Sequence, residues 1–463
     1  MVKMKRQQDA TARQAAKPFE LYIHVPFCLR RCGYCDFNTY TAVDLGEGAS
    51  RGGYASVAIR EMRLIRDWQE EHGLVEPALS SVFFGGGTPT VLPAEDLVRM
   101  LHAARSLWGL QPDAEITTEA NPDTVDERYL AQLAQGGFTR VSFGMQSAVP
   151  RVLRILERTH TPANVTAGVA AARRLGLECS VDLIYGAPGE SIDEWEQSVQ
   201  EALSLGVNHI SAYALTLEPT TKMGRQVAAG QLAHPDDDDE ADKYELADDL
   251  FQAAGLQWYE VSNWARPGHE SRHNLGYWRN VDWAGIGPGA HSHYNWIELD
   301  PVSEISETGG SAGGRSEEGA WRKTGQRGDD GSGEGPQAFR FAGPSPAADC
   351  SKVAGESVRV WDIRHPRAWA RAVNQERQPW SGGEVIGPRE RLEEGVMLGL
   401  RIREGLSLEK LERLAGGRLD LRRLAPALHG GLAQARGGRI VPTRRGRLLN
   451  DDLIADVLEA VGA

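Results

Sequence analysis

Three cysteines, Cys28, Cys32 and Cys35, stand in the run YIHVPFCLRRCGYCDFN. The C-x3-C-x2-C spacing puts three thiolates on one short loop, immediately after a β-branched, strand-like segment. Iron–sulfur clusters of the 4Fe-4S type are held by Cys thiolates, normally four. Three leave one iron with an open position for a chelating small molecule. The competing reading is zinc, with His24 as a fourth, tetrahedral ligand. Zinc loops, however, pair C-x2-C with a second, distant pair, and the chain has none. Cys179 lies in a strand-like run and Cys350 in a low-complexity stretch, and both read as structural or free thiols. A disulfide is disfavoured because neighbouring cysteines in an intracellular chain are metal ligands or catalytic.

Other chemistry-bearing groups recur at the ends of apolar runs. Gly85-Gly86-Gly87-Thr88-Pro89 follows SSVFF, and glycines at a strand end let backbone N–H and C=O groups approach a ligand closely. Glu119 ends ITTE, Gln146 ends RVSFGMQ, Arg158 lies one helix further on, and Asp182 interrupts SVDLIYG. A carboxylate in such a run is costly unless paired. Each alone reads as a cap or a salt bridge; their shared position points to one site.

The elements that must position these groups repeat between residues 20 and 220. Strand-like runs at Leu21–Val25, Ser81–Phe84, Glu115–Glu119, Arg140–Met145, Ser180–Tyr185 and His209–Leu215 alternate with amphipathic segments such as AEDLVRMLHAARSLWG. Six βα units predict an α/β fold, a partial (β/α)6 barrel over 20–300, whose reactive groups lie at the C-terminal strand ends. An aromatic- and His-rich segment, 258–294, belongs to this domain. From 304 to 357 the composition turns to Gly, Ser, Glu and Arg, which predicts a low-complexity insertion without a core of its own. Apolar periodicity then returns, and 358–463 is expected to form a small winged-helix-like α+β domain. Its helices lie near RERLEEGVMLGLR and LSLEKLERLA, with a β-turn-β element in RIVPTRRGRLLND.

Bulk properties bound the partners. The chain has 463 residues and a net charge of −13, from 51 basic and 64 acidic residues. That balance disfavours nucleic acid, although residues 411–450 carry nine Arg against two acids. No 18-residue apolar run suits a transmembrane helix. The N-terminal MVKMKRQQDATARQAAK lacks the apolar core of a signal peptide, so 1–19 is expected to be a disordered tail and the protein cytoplasmic.

C-x3-C-x2-C is also the signature of radical S-adenosylmethionine (SAM) enzymes. YIHVPFC, GGGTPT, TEANPDT, SFGMQS, DLIYGAPGES and YEVSNWARPGHESRHNLGYW together resemble the family containing oxygen-independent coproporphyrinogen III oxidase and the heme chaperone HemW. The likeness covers roughly 20–300 and 358–463, the latter as a HemN-type C-terminal domain. It implies a 4Fe-4S cluster on Cys28, Cys32 and Cys35, and SAM against Tyr22, Tyr34, Gly86, Gly87, Thr88, Glu119, Gln146, Arg158 and Asp182.

Two features separate the branches of that family. The oxidase motif carries a fourth cysteine where this chain has Phe37, and its N-terminal extension is longer. His273-Asn274-Leu275-Gly276-Tyr277-Trp278 resembles the H-N-x-x-Y-W motif associated with heme in HemW proteins, which implies heme contacts from His273, Asn274, Tyr277 and Trp278. Imidazole is an axial haem ligand, and Tyr and Trp offer flat apolar surface. The favoured expectation is a chaperone that binds a cluster and SAM and passes heme to an unidentified acceptor protein, with a homodimer among its assemblies. The alternative is the oxidase, in which a 5′-deoxyadenosyl radical drives decarboxylation of coproporphyrinogen III to protoporphyrinogen IX. Whether the chain is an enzyme stays open. His269-Glu270-Ser271-Arg272-His273 also matches the zinc-protease pattern H-E-x-x-H, but Pro267-Gly268 argues against one helix carrying both histidines.

Overall fold

The computed structural model describes residues 18–46, 48–295, 357–418 and 421–461. The tail expected over 1–19 lies outside these residues up to position 17, and Phe19 already opens the first strand. The insertion expected over 304–357 also lies outside them, apart from Ser357.

The six strands expected from the βα repeat are β1 (Phe19–Val25), β2 (Leu79–Gly86), β3 (Leu110–Ala120), β4 (Arg140–Gln146), β5 (Glu178–Tyr185) and β6 (His209–Ala214). They lie side by side in chain order and pair in parallel throughout. Their residues are buried on both faces, as a helix-covered parallel sheet requires. Polar caps start the covering helices. Asp126, Thr161 and Ser191 each accept a backbone N–H, and the last two form reciprocal capping boxes with Asn164 and Glu194.

The sheet does not stop at six strands. Beyond β6 it adds the antiparallel pair β7 (Gln257–Glu260) and β8 (Asn263–Ala265). At the other edge β9 (Asp282–Ile286) runs parallel to β1, and β10 (His291–Asn295), β11 (Ser357–Asp362) and β12 (Trp380–Ile386) follow as an antiparallel meander. The result is an open, partial barrel of twelve strands among the described residues.

This corrects the boundary at 358. Residues 357–386 complete the large sheet, and Val358, Val360, Trp369, Ala370 and Val373 belong to its core. They are stitched there by Glu61, whose carboxylate accepts hydrogen bonds from Gly287 N–H (2.8 Å) and Trp369 Nε1–H (3.0 Å). The second apolar core begins only at Leu392 and runs through Leu411, Ile440 and Val457. It is an α+β unit of helices around β13 (Leu406–Ser407), β14 (Ala433–Arg436) and β15 (Arg439–Pro442). The expected β-turn-β element is also displaced. The hairpin is β14–β15, turning at Gly437-Gly438 with positive φ at both, whereas RRGRLLND is helical because Thr443 caps a turn at Arg444–Leu448.

Two of the arginines that gave this unit its basic look are tied to the barrel domain. Arg447 and Arg444 reach Asp248 of the barrel domain (3.0 and 3.3 Å), and Arg447 lies over the Trp258 ring. No described helix is long and apolar enough to cross a membrane.

Candidate functional site

The C-terminal ends of the parallel strands open into a cavity of about 510 Å³. Cys28, Cys32 and Cys35 lie on the loop after β1, and this loop is held from several sides. Cys28 N–H donates to Tyr40 O (3.0 Å), Arg51 Nη2 to Cys28 O (2.9 Å), and Met223 N–H to Gly33 O (2.8 Å). Thr88 Oγ1 donates towards Cys28 Sγ (3.7 Å) and Arg158 Nη1 towards Cys32 Sγ (3.5 Å). Burial pushes the Cys28 thiol up to about 11 and raises Cys35 as well.

His24 does not complete a zinc site. Its Nδ1 lies 3.1 Å from Tyr22 Oη and its Nε2 3.1 Å from Asn38 O, so both ring nitrogens are engaged away from the thiols. Three thiols without a fourth protein ligand fit a cluster with one open iron.

All nine residues expected to meet SAM line this same cavity. Gly87 N–H donates to Val25 O and Thr88 N–H to Phe27 O (2.8 and 2.7 Å), so the glycine run is laced to the start of the cysteine loop. A Cβ on Gly87 would sit 2.6 Å from Phe27 O, so only glycine allows that approach. Glu119 Oε2 accepts the Gly86 N–H (3.2 Å) and has no cation partner among the described residues. Burial, reinforced by the charge of Asp182, lifts its pKa to about 8. Asp182 is raised by burial too, although Ser142 Oγ donates to both of its oxygens. Gln146 takes a left-handed turn (φ 61°) at the end of β4 and keeps an unpaired buried Oε1. A carboxyl that accepts a single backbone N–H, a second held by Ser142 and a free amide oxygen suit a ligand with an ammonium and hydroxyl groups. Arg158 is fixed by Asn121 Oδ1 (2.5 Å) and Gly144 O (2.9 Å).

The H-N-x-x-Y-W segment lies at the opposite end. The helix Arg272–Arg279, capped by Ser271, crosses the N-terminal halves of the first strands. His273 Nδ1 hydrogen bonds Ser81 Oγ of β2 (2.8 Å) and its Nε2 hydrogen bonds Tyr277 Oη (3.0 Å). The ring is 1% exposed, and desolvation pushes its pKa down to about 3. Glu115 of β3 anchors the helix start by accepting from Ser271 Oγ and from the N–H groups of Arg272 and His273. Gly276 rests on Glu20 of β1 so closely that a Cβ would collide with the carboxylate. His273, Asn274 and Tyr277 face the inner end of the cavity. Trp278 does not; it packs with Tyr259 and Ile402 and under Arg401 of the C-terminal unit. His269 precedes the helix and pairs with Glu178, so the H-E-x-x-H match is not one helical face.

Comparison with known proteins gives the family. Residues 22–202 match the radical SAM superfamily, and residues 386–449 match the HemN C-terminal domain. The heme chaperone HemW of Mycobacterium tuberculosis (strain ATCC 25618 / H37Rv) is 38% identical over 443 residues, 96% of this chain and 95% of that protein. The chain belongs to the HemW family. Within it, Escherichia coli (strain K12) HemW is 36% identical over 276 residues, 59% of this chain and 70% of the relative. Among solved structures, the E. coli coproporphyrinogen III oxidase HemN, a radical SAM enzyme, superposes with a TM-score of 0.70 at 19% identity, covering 97% of this chain and 92% of that one. That likeness establishes the shared fold. Membership of the HemW family also explains why the second apolar core begins close to residue 386, where the HemN C-terminal domain starts.

Sequence reasoning missed the groups that shape the site without lining up in motifs. Asn38, which joins His24 to the cysteine loop, and Ser81, which takes a His273 nitrogen, carry no signal in a single sequence. Arg364 and His365, which meet the loop from the far side of the insertion, carry none either.

Proposed function

We propose that this chain is a heme chaperone. It holds a 4Fe-4S cluster on Cys28, Cys32 and Cys35, binds SAM in the adjoining cavity, and passes heme to an acceptor protein. The observation that carries the reading is similarity over nearly the whole chain to a protein named as a heme chaperone. When bound, a cluster with one open iron supplies a chelation point for the amino and carboxylate groups of SAM and an electron for it.

The chain's own residues do the positioning. Gly86 and Gly87 present backbone groups to a methionyl moiety, Glu119 and Asp182 offer carboxyls to its ammonium and to ribose hydroxyls, and Arg158 orders the loop around Cys32. Phe37, at the position of the oxidase's fourth cysteine, has no thiol to offer and is 63% exposed at the cavity mouth.

Heme contact with His273, as the H-N-x-x-Y-W motif implies, would require the helix to leave the lower end of the barrel. Both of its ring nitrogens would first have to give up their partners. Anaerobic reconstitution followed by parallel assays tests the proposal. Heme should bind the reconstituted chain, and coproporphyrinogen III should not be decarboxylated under reducing, SAM-replete conditions. Production of protoporphyrinogen IX would move the chain to the oxidase reading.

A further inference from the structure

Resting on that chaperone reading, a question of place follows: where on this surface a heme would sit. The turn after β11 brings Arg364-His365 against the outside of the cysteine loop. Asn38 Nδ2 donates to Arg364 O (2.8 Å) and to Pro288 O (2.8 Å), and Tyr40 Oη donates to Arg364 O (3.4 Å). The His365 ring stands edge-on to Tyr40, with centroids 5.9 Å apart. His365 is exposed, and its imidazole enters no hydrogen bond or ion pair among the described residues. A neutral, unengaged imidazole is what a haem iron takes as an axial ligand.

The same rim carries two further features that a heme needs. Phe37 and Leu29, at 63% and 57% exposure, are large apolar side chains left in solvent beside the cysteines. Arg31, whose Nη2 donates to Phe37 O (3.4 Å), and Arg364 have no carboxylate partner among the described residues, in a chain of net charge −13. Arg30 is different, since it faces Glu157 at 3.9 Å, and Asp36 is the acid of the rim itself. Exposed apolar side chains on a loop that also meets guanidiniums without carboxylate partners complement a flat macrocycle with two anionic propionates.

We propose that heme docks on this outer rim of the cysteine loop, with the His365 imidazole on its iron, Phe37 and Leu29 against its ring, and Arg31 and Arg364 towards its propionates. The bond formed is a dative one from an imidazole nitrogen lone pair to iron, with no redox change. The cargo then sits beside the cluster cavity, on the face open to an acceptor protein. The alternative ligand, His273, is sealed at the far end.

The test is a heme titration of the anaerobically reconstituted full chain. His365→Ala should lower heme affinity by about tenfold or more, the loss of one coordinate bond. It should also erase the imidazole-ligated signature in the Soret and electron paramagnetic resonance spectra, and added free imidazole should restore that signature. Phe37→Ser and the pair Arg31→Glu/Arg364→Glu should weaken binding several-fold without changing the iron's ligand signature. Cluster absorbance serves as the check that each variant is folded. Unchanged affinity and spectrum in His365→Ala overturn the proposal. So does loss of the signature in His273→Ala but not in His365→Ala. If the wild-type chain binds no heme at all, the chaperone reading itself fails, and the rim site with it.

Discussion

The two ends of the barrel carry comparable numbers of chemistry-bearing residues and differ in how those residues are arranged. At the cysteine end, the half-buried Glu119 and Asp182 form no ion pair among the described residues, Gln146 Oε1 is unpaired, and three thiols face one cavity. At the other end His273 uses both ring nitrogens, and Glu115 collects three donors from the start of the helix. Even so, Glu20 Oε2, Thr117 Oγ1, Arg140 Nη2 and His209 Nδ1 have no hydrogen-bond partner at that end. Burial, then the charge of Glu115, raises the pKa of Glu20 well above the usual carboxylate range, and its Oε2 lies 3.5 Å from His273 Nδ1. An unsatisfied buried polar group costs about 1–3 kcal/mol, which a ligand can recover. The difference that separates the ends is therefore chemical: the first gathers three thiols, two carboxyls and a free amide oxygen on one cavity, whereas at the second the motif histidine is held by both ring nitrogens, although family motifs mark both.

The largest effect that would break this contrast lies at the cysteines. Cys32→Ala should abolish iron loading and the visible charge-transfer absorbance of the reconstituted chain, while Cys179→Ala should leave both intact. Cys179 is buried in β5 away from the cavity, and its thiol is raised by that burial. Full iron content in Cys32→Ala would end the assignment of the cysteine end. Next in size, Glu119→Gln or Asp182→Asn should weaken SAM binding by about ten- to a hundred-fold, roughly 1.5–3 kcal/mol for a hydrogen bond to a charged group. Cluster content should not change. Equilibrium binding of SAM to the reduced, reconstituted variants measures it.

The His273 end predicts the opposite signature. His273→Ala removes two hydrogen bonds, one buried and one part-buried, and empties a packed ring position, so it should cost about 2–4 kcal/mol of stability. Gly276→Ala forces a Cβ into the Glu20 carboxylate and should cost about 1–3 kcal/mol. Thermal or denaturant unfolding of the intact chain reads both. A His273→Ala chain that melts like wild type while losing heme would show that this end is a ligand site after all.

How much of this was legible in the sequence follows from how local each feature is. The cysteine loop, the glycine run and the six parallel strands are written in consecutive residues with a fixed period, so their types announce them. Glu119, Gln146 and Asp182 stand out because polar groups at the ends of apolar runs demand a reason. The role of His273 was not legible, because a motif names a residue but not its neighbours. Ser81 lies 192 positions away in sequence, and only the folded sheet brings it to the ring. Residues 357–386 were misassigned for a related reason. A strand that pairs across a long insertion carries no register signal; the β10–β11 ladder, the shared apolar core and the Glu61 hydrogen bonds to Gly287 and Trp369 fix it in the barrel domain. The RRGRLLND helix was mistaken for a strand because Thr443, its cap, follows directly on an apolar run.

The smallest effect sharpens the contrast by titration. Burial and the neighbouring Asp182 hold Glu119 at about 8, so in the free chain it is largely protonated at pH 7. Its folded-state pKa is above its unfolded value. The stability it contributes is therefore fully present below about pH 4.5 and is lost as pH rises through about 8. An ammonium brought to Glu119 favours the ionised form and pulls that pKa back down. Binding of SAM near pH 7 should therefore release up to about one proton from this carboxyl, and the release should fade above about pH 9, where Glu119 is already ionised. Calorimetric titration of SAM in two buffers of different ionisation enthalpy counts that proton, and Glu119→Gln should remove it. SAM should also flatten this part of the pH–stability profile. The buried pair of Glu61 and Asp362, whose carboxyls burial raises as well, should keep its own loss of stability towards alkaline pH with or without SAM, because no ligand reaches it. Asp362→Asn should remove the part of that second slope that belongs to Asp362, keep the part that burial gives Glu61, and leave the SAM-linked proton untouched. If SAM bound with no proton release in wild type, Glu119 would not be the group that meets its ammonium.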